Sequence, residues 1–331
     1  MELLSLFCGC GGMDLGFEKA GFRTSLAYDR REPGLKSWQS NRKFGKAVNR
    51  DIAKITLKQI DQDYGSEFTP IGVVGGPPCQ GFSVANRYGS ADDPRNKLVT
   101  KFFNVALSLH RRSPLAFIVM ENVPAIQGVR GGGILEKQKA KLKRNGFSVY
   151  EDVLDAQNYG VAQRRRRLFL VAINKSLDNA ENWQFPDVSK KIKTVRDVIA
   201  KLPEPIYFGR GLDPKSIPYH PNHWCMQPKS PKFTSGELKE GFVEKRSFKT
   251  LSWDQPSYTA CYGNREVHIH PEGHRRLSVF EAMKIQGFNK SYKLVGTMSD
   301  QITQVSEAVP PPLAAKVAKE LHKLVIHSTQ N

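Results

Sequence analysis

The sequence predicts an α/β fold with a Rossmann-like, mostly parallel sheet in a larger domain and a smaller, irregular second domain. The 331 residues suffice for one large domain or two unequal ones, and 39% apolar with 25% charged residues is typical of a globular protein. In the first 175 residues, short apolar segments alternate with amphipathic stretches, which is the pattern of strands and helices around a parallel sheet. Between about 176 and 272, proline, glycine, histidine and aromatic residues become dense and helical periodicity fades.

The strands are predicted from short apolar runs that glycine, proline or polar residues follow. In chain order they are Leu3–Phe7, Ser25–Tyr28, Ile71–Val74, Phe117–Met120 and Arg167–Ile173. Helices are predicted at Lys97–His110, Ile134–Asn145, Ser278–Gly287 and, opened by prolines, Pro310–Val325. These elements place one domain at 1–175, completed by 274–331, and the second domain at 176–273.

The charge balance indicates a polyanionic partner. Fifty Lys and Arg against 32 Asp and Glu give a net charge of +18, and nucleic acid is the commonest partner of so basic a chain. No apolar run approaches the roughly 18–20 residues of a membrane span, and the N-terminus lacks the basic patch of a signal peptide. Five sparse cysteines favour a reducing compartment, so the cytoplasm is expected. Two histidine-rich segments, His220–Cys225 and His268–His274, lack a cysteine pair at zinc-finger spacing, and no metal site is predicted.

The first predicted strand leads directly into the glycine-rich segment Phe7–Gly16. Such a strand–glycine–helix turn lets the backbone approach a ligand closely at the carboxyl end of a parallel sheet. No Lys-Ser or Lys-Thr pair follows it, which excludes a P-loop for a triphosphate. Asp29, which lies twenty residues after Gly9, ends the second strand, where a carboxylate can bind vicinal ribose hydroxyls. The segment therefore predicts a site for a dinucleotide or for another adenosine-type cofactor.

Two reactive side chains follow other predicted strands. Cys79 lies in the segment Gly75–Ser83, where proline and glycine flank it, and this is the placement of an exposed nucleophile, although a buried structural cysteine also fits. Glu121 ends the strand before Asn122-Val123-Pro124, and a partly desolvated carboxyl beside a cleft is suited to donate a proton.

Four arginines precede the fifth predicted strand, in the segment Gln163–Arg167. Such a run is usually a solvated or phosphate-facing edge. In an extended segment, Arg165 and Arg167 share one face, which could be turned toward the cleft.

The order of these four motifs resembles the cytosine-5 DNA methyltransferase family. Two later segments agree, since Arg275–Ser278 resembles the ninth conserved motif of the family and Gln304–Pro310 its tenth. The resemblance covers 1–175 and 274–325, and the segment between them corresponds to the variable target-recognition region. It implies an S-adenosylmethionine-dependent methyltransferase of the bacterial restriction-modification type, which methylates carbon 5 of a cytosine in a specific double-stranded DNA sequence.

The resemblance also implies roles for individual residues. The cofactor is S-adenosylmethionine, and its predicted contacts are Phe7 on the adenine, Gly9, Gly11 and Gly12 around the methionine portion, Asp29 on the ribose, Asp51 on the adenine amino group, and Pro78, Leu98, Glu307 and Ala308 elsewhere in the pocket. The predicted catalytic residues are Cys79 as nucleophile, Glu121 as the acid on the base, and Arg165 and Arg167 as contacts to the base and a nearby phosphate. Because the chemistry cannot occur inside a stacked duplex, base flipping is implied, with residues 84–96 as a closing lid.

Two residues depart from the family pattern. Glu307 stands where the family usually has asparagine, and Ser306 where it commonly has glycine. A carboxylate there either repels the methionine carboxylate of the cofactor or forms a salt bridge with a local lysine or arginine. In the second domain the candidate DNA contacts are polar or basic residues, namely Asn222, Lys229, Lys232, Asn264 and Arg265.

Three alternatives stay open. A related branch of the family uses the same motifs on tRNA, and a homologue that binds DNA with impaired catalysis would also fit. An NAD-dependent oxidoreductase would use the glycine segment and Asp29 but leaves the Cys79 and Glu121 motifs unexplained.

A monomer without membrane association is expected, with a cognate restriction endonuclease as a functional partner.

Overall fold

The computed structural model describes residues 1–78, 96–128, 133–244, 248–260 and 267–330. Within it the chain forms two compact units. The first unit comprises 1–154, 166–187 and 314–331, and the second comprises 155–165 and 188–313. The segment 274–313, predicted to complete the first domain, packs within the second unit. The assignment of cofactor binding and target recognition to separate domains stays a prediction.

A seven-stranded sheet forms the centre of the first unit. Its strands are β1 (Glu2–Leu6), β2 (Arg23–Asp29), β3 (Lys46–Asn49), β4 (Gly72–Gly75), β5 (Phe117–Asn122), β6 (Phe147–Asp155) and β7 (Arg166–Asn174), in the spatial order β3-β2-β1-β4-β5-β7-β6. The pairs from β3 to β5 are parallel, whereas β7 runs antiparallel to β5. The predicted α/β class with a mostly parallel sheet is therefore confirmed.

Helices connect the strands and cover the sheet. They are α1 (Gly12–Lys19), α2 (Glu32–Ser40), α3 (Leu57–Tyr64), α4 (Asn96–Arg112) and α5 (Ile134–Arg144). The buried faces of α3, α4 and α5 pack with strand residues in one apolar core, to which α4 contributes Val99, Phe102 and Phe103. Both ends of α3 are well defined, since Thr56 and Gln59 form a reciprocal capping box and Gly65 closes the C-terminus with a φ of 99°.

The second unit has little regular structure, as the sequence predicted for most of it. Its strands are the two-residue segments β8 (Ile206–Tyr207), β9 (Trp224–Cys225), β10 (Val243–Glu244) and β11 (Phe248–Lys249), and its helices are α6 (Val195–Ile199), α7 (Val279–Gln286) and α8 (Met298–Glu307). Ser278 and Thr297 cap α7 and α8 with reciprocal hydrogen bonds. The C-terminal helix α9 (Pro311–Gln330) starts in this unit and runs on into the first.

The sequence prediction missed both edge strands of the sheet. β3 is a four-residue segment with no fully buried residue, and β6 is half-exposed along most of its length. Edge strands lack the continuous apolar run by which the central strands of a parallel sheet are identified. Among the described residues, no helix is long and apolar enough to cross a membrane.

Gly75 fixes how closely β1 and β4 approach at their carboxyl ends. It pairs with Leu6 in the parallel ladder, and a β-carbon built on it would lie 2.2 Å from the Leu6 carbonyl oxygen and 2.9 Å from the Phe102 ring. Because the nearest obstacle is backbone, no side-chain rotation could make room for it. Glycine is therefore required at the point where the first strand leads into the glycine-rich segment.

We expect Gly75→Ala to lower the free energy of unfolding by at least about 2 kcal/mol, because the two strands must separate to accept the methyl group. Urea denaturation followed by circular dichroism measures this change. Gly128→Ala is the matched control in the same unit, since its β-carbon would meet only the Ala125 carbonyl oxygen at 3.4 Å. Equal stability of the two variants would contradict the proposed constraint.

Candidate functional site

The segment between β1 and α1 forms a tight glycine loop, which we define as Phe7–Gly12. Three of its residues have left-handed backbone conformations, with φ values of 59° at Phe7, 53° at Gly9 and 82° at Gly11. The Gly11 N–H donates to the Cys8 carbonyl oxygen at 2.8 Å, which closes the turn. A β-carbon at Gly9 would meet nothing within 4 Å, so this side of the loop is open to a ligand. Phe7, a residue that rarely adopts a positive φ, is held there half-buried.

Asp29 connects the glycine loop to the end of β2. Its Oδ2 accepts the Gly9 N–H at 2.9 Å, and its Oδ1 accepts the Arg31 N–H at 2.9 Å. Each carboxylate oxygen can accept more than one hydrogen bond, so both can still accept a hydroxyl donor from a ligand. The structure thus brings together the two features that the sequence identified as an adenosine site.

The remaining predicted cofactor residues of the first unit lie after neighbouring elements. Asp51 is exposed and follows β3, the parallel neighbour of β2, and its Oδ1 accepts the Ala53 N–H at 3.0 Å. Pro78, beyond β4, and Leu98, in the first turn of α4, are both half-buried. Their contacts with a cofactor stay predictions.

A second cluster lies at the carboxyl ends of β4 and β5. The Asn122 side-chain amide donates to the Pro77 carbonyl oxygen at 3.0 Å, and a β-carbon at Gly76 would lie 3.2 Å from Oε2 of Glu121. The segment that leads into Cys79 is therefore fixed directly beside Glu121. Cys79 itself lies outside the described residues. Asn122 was not assigned a role from the sequence, although its position directly after Glu121 at a strand end was the available signal.

Glu121 forms an ion pair with one of the four arginines. The distance from Nε of Arg167 to Oε1 of Glu121 is 3.0 Å, and both side chains are nearly buried. The antiparallel pairing of β5 with β7, in which Glu121 lies opposite Phe169, explains why Arg167 reaches this carboxylate.

Arg165 belongs to the second unit, although the sequence placed it on one face with Arg167. Its side chain is buried, and its Nη1 donates to the Ala260 carbonyl oxygen at 3.3 Å. The Ser306 hydroxyl donates to the same oxygen at 3.0 Å. Contacts of Arg165 and Arg167 with a base or a phosphate stay predictions.

The two predicted cofactor residues near the start of α9 differ in exposure. Glu307 ends α8 and is exposed, whereas Ala308 is buried and its carbonyl oxygen accepts the Gln286 side-chain amide at 2.6 Å. This hydrogen bond joins the two segments that resemble the ninth and tenth motifs. Whether either residue contacts a cofactor stays a prediction.

One predicted DNA contact is wrong. Asn222 is completely buried, and its side chain pairs with both the N–H and the carbonyl oxygen of Leu294, so it cannot contact a groove. Lys229 is exposed, and Lys232 pairs with Glu244 at 3.0 Å. Asn264 and Arg265 lie outside the described residues.

The histidines have mainly structural roles in the second unit. Both ring nitrogens of His220 and of His223 have hydrogen-bond partners, and burial lowers the pKa of His220 to about 4. Within the described ranges, one group could place ligand atoms within 4.8 Å of one another, and it consists of His270, Glu272 and His274. The expectation that the protein holds no metal stays a prediction.

The described cysteines are poor nucleophiles. Burial raises the pKa of the Cys8 thiol well above its ordinary value, and it raises the pKa of Cys10 and of Cys225 to about 12. They are therefore neutral thiols near pH 7, whereas nucleophilic attack requires the thiolate.

Comparisons with known proteins identify the family to which this chain is similar. Residues 1–323 match the family model of the C-5 cytosine-specific DNA methylases. The Type II methyltransferase M.MthTI of Methanothermobacter thermautotrophicus is 30% identical over 98% of this chain and 97% of its own, and M.FnuDI of Fusobacterium nucleatum is 29% identical over 97% and 94%. A solved prophage-encoded DNA modification methyltransferase from E. coli has the same fold, with a TM-score of 0.81, 22% identity, and coverage of 98% of this chain and 99% of that one.

We expect Asp29→Ala to loosen the glycine loop, because the Gly9 N–H loses its charged acceptor. Amide hydrogen exchange of a peptide spanning residues 7–12 should accelerate about tenfold, as follows from the loss of roughly 1.4 kcal/mol of local protection. Asp51→Ala removes an exposed carboxylate that also caps a backbone N–H and should leave exchange in this peptide unchanged. Unchanged exchange in both variants would contradict the role given to Asp29.

Proposed function

The chain belongs to the C-5 cytosine-specific DNA methylase family and is a DNA cytosine-5 methyltransferase, and on that premise we propose how its residues act. The methyl donor is S-adenosylmethionine, held by the glycine loop and Asp29. The acceptor is carbon 5 of a cytosine in a specific double-stranded DNA sequence. Cys79 forms a transient covalent adduct with that cytosine after the base has been flipped out of the duplex.

The single observation that carries this proposal is the hydrogen bond from Asn122 to the Pro77 carbonyl oxygen. It fixes the backbone two residues before Cys79 beside β5, the strand that carries Glu121. A nucleophile and a proton donor must act on the same pyrimidine ring, so the segments that carry them must lie close together. An NAD-dependent oxidoreductase would give no reason for this contact, and the membership of the chain in the methylase family excludes that alternative.

The residues of the glycine loop fit S-adenosylmethionine. Gly9 leaves open space beside the backbone, and Asp29 keeps acceptor capacity toward ribose hydroxyls. Phe7, held in a strained conformation at the end of β1, offers a half-buried ring for the adenine. When bound, the cofactor supplies an electrophilic methyl group on a sulfonium sulfur.

The protein must make a poor nucleophile reactive, because carbon 5 belongs to an aromatic ring. Addition of the Cys79 thiolate to carbon 6 breaks the aromaticity, and the electron pair becomes available at carbon 5. Glu121, which carries its proton on Oε2 while Arg167 donates to Oε1, donates that proton to ring nitrogen 3 and stabilises the charge that develops during addition. After methylation, carbon 5 loses its proton to a base, and the electron pair expels the Cys79 thiolate, which restores the double bond between carbons 5 and 6. Ring nitrogen 3 returns its proton to Glu121 in the same step.

Arg167 holds Glu121 in position during this sequence. Its guanidinium lies 3.0 Å from Oε1, so the second carboxyl oxygen, which lies on the side of Gly76, is oriented toward the segment of Cys79. Arg165 contacts the base or a nearby phosphate from the second unit. This unit recognises the target sequence, and the net charge of +18 supplies sequence-independent phosphate affinity.

The first experiment is transfer of a labelled methyl group from S-adenosylmethionine to duplex DNA and, in parallel, to tRNA. We expect label in duplex DNA at 5-methylcytosine and none with Cys79→Ala, since alanine cannot add to carbon 6. Label in tRNA alone would move the enzyme to the RNA-modifying branch, and DNA binding without label would favour the catalytically impaired homologue. Analytical ultracentrifugation of the purified protein tests whether it is a monomer, as proposed. Co-expression with a candidate restriction endonuclease tests whether methylation by this protein protects DNA from that enzyme.

We expect Glu121→Gln to lower kcat by about 10²- to 10⁴-fold, the range for loss of a positioned proton donor. The KM for S-adenosylmethionine should change less than threefold, because Glu121 acts on the base. Steady-state kinetics on a methylatable duplex measure both constants. Glu136→Gln alters an exposed glutamate of α5 and should leave both unchanged. A wild-type kcat in Glu121→Gln would remove Glu121 from the mechanism.

A further inference from the structure

A buried arginine packs against the glycine loop at Gly11, whereas the open space of the loop lies at Gly9. Arg42 follows α2, its side chain is 3% exposed, and its Nη2 donates to the Gly11 carbonyl oxygen at 3.2 Å. Its Nη1 donates to the Trp38 carbonyl oxygen at 3.1 Å, while its Nε donates to both carboxylate oxygens of Glu18 at 2.8 and 3.0 Å. One planar guanidinium thus connects the loop, α1 and the end of α2.

The same side of the loop is packed without spare room. A β-carbon at Gly11 would lie 2.6 Å from the Trp38 ring and 2.8 Å from the Arg42 guanidinium, which itself lies 4.3 Å from the centre of that ring. The Trp38 indole N–H donates to buried Asp14 at 3.1 Å. Gly11 is therefore held from behind by a ring and a cation that other hydrogen bonds keep in place.

We infer that Arg42, anchored by Glu18, is a positioning residue that sets the conformation of the glycine loop and thereby the affinity for the cofactor. This inference rests on the proposed binding of S-adenosylmethionine at the loop. Arg42 contacts the loop at Gly11, whereas the open space lies at Gly9, so we assign it a positioning role and no contact with the cofactor. Its effect reaches the ligand through Gly11, whose carbonyl oxygen it binds. With a φ of 82°, Gly11 is the last left-handed residue before α1.

Glu18, which anchors Arg42, ionises within the pH range of ordinary assays. Burial raises the pKa of Glu18 to about 6, even though Arg42 opposes this shift, and the charged neighbours that face Glu18 are Arg42 and, on its own helix, Asp14. Above this pH the carboxylate holds the guanidinium, and below it the carboxyl is neutral and the charge attraction is lost. The affinity for the cofactor should therefore fall as pH falls through about 6.

The test is isothermal titration calorimetry of the whole chain with S-adenosylmethionine in the absence of DNA. Without an acceptor cytosine no methyl group is transferred, so the titration measures cofactor binding alone. Arg42→Met should raise Kd at least tenfold at pH 7.5. Arg42→Lys should raise it less, because an ammonium keeps the charge that pairs with Glu18, although it lacks the planar fork that also reaches the Gly11 and Trp38 carbonyl oxygens. At saturating cofactor, kcat on duplex DNA should stay within about threefold of wild type.

The sharper variant is Glu18→Gln, which keeps the shape of the side chain and removes its charge. Its Kd at pH 7.5 should be at or above that of the wild type at pH 5.5, where a carboxyl with a pKa of about 6 is mostly but not fully neutral, and it should not change between these pH values. Arg112→Met is the matched control, since it removes a bidentate pair with Asp61 elsewhere in the first unit, and its Kd should stay at the wild-type value.

The outcomes separate the two levels of the proposal. If wild-type protein binds no S-adenosylmethionine, the proposed function fails. If wild type binds and Glu18→Gln has the same Kd and the same pH dependence, the role of the anchor is overturned. If Arg112→Met weakens binding as much as Arg42→Met, general destabilisation explains the effect and the positioning role is also overturned.

Discussion

The close approach of β1 and β4 is the constraint on which the rest of the site depends. Gly75 lies against the Leu6 carbonyl oxygen at a distance that no side chain would allow. These strands are neighbours in the sheet although more than sixty residues separate them, and both run in the same direction. The glycine loop and the segment that leads to Cys79 therefore emerge at one edge of the sheet, which is where open α/β sheets bind ligands.

The central strands could be predicted from the sequence because burial on both faces leaves a continuous apolar run. Since parallel strands end at a common edge, the same reasoning from the sequence places Gly9, Asp29 and Glu121 at that edge. β3 and β6 escaped prediction because an edge strand needs no such run. The parts of the site that local sequence can predict are thus those fixed by strand order.

Contacts between distant segments could not be predicted in the same way. Asn222 looked like a DNA contact because it is polar and lies among prolines and histidines, yet its amide matches the backbone of Leu294, seventy-two residues away. Arg42 was not singled out from the sequence, yet its side chain is buried against the glycine loop. A polar side chain carries no local mark of whether its partner is solvent, nucleic acid or another part of the chain. For Arg165 the sequence predicted an alternation of faces, but the chain passes from one unit to the other directly after it.

Buried pairs such as Arg42–Glu18 and Arg275–Glu281 separate two uses of basic residues in this protein. Each pair consumes one positive and one negative charge, so pairing within the fold leaves the net charge of +18 unchanged. The surplus must therefore reside on basic groups that no acid of the chain neutralises. Those groups can exchange counterions for phosphates, and we expect the affinity that they provide to fall steeply with salt. The buried pairs are screened far less by salt, and they fix the geometry of the loop and of α7. Phosphate affinity and positional accuracy thus come from different arginines and respond differently to ionic strength.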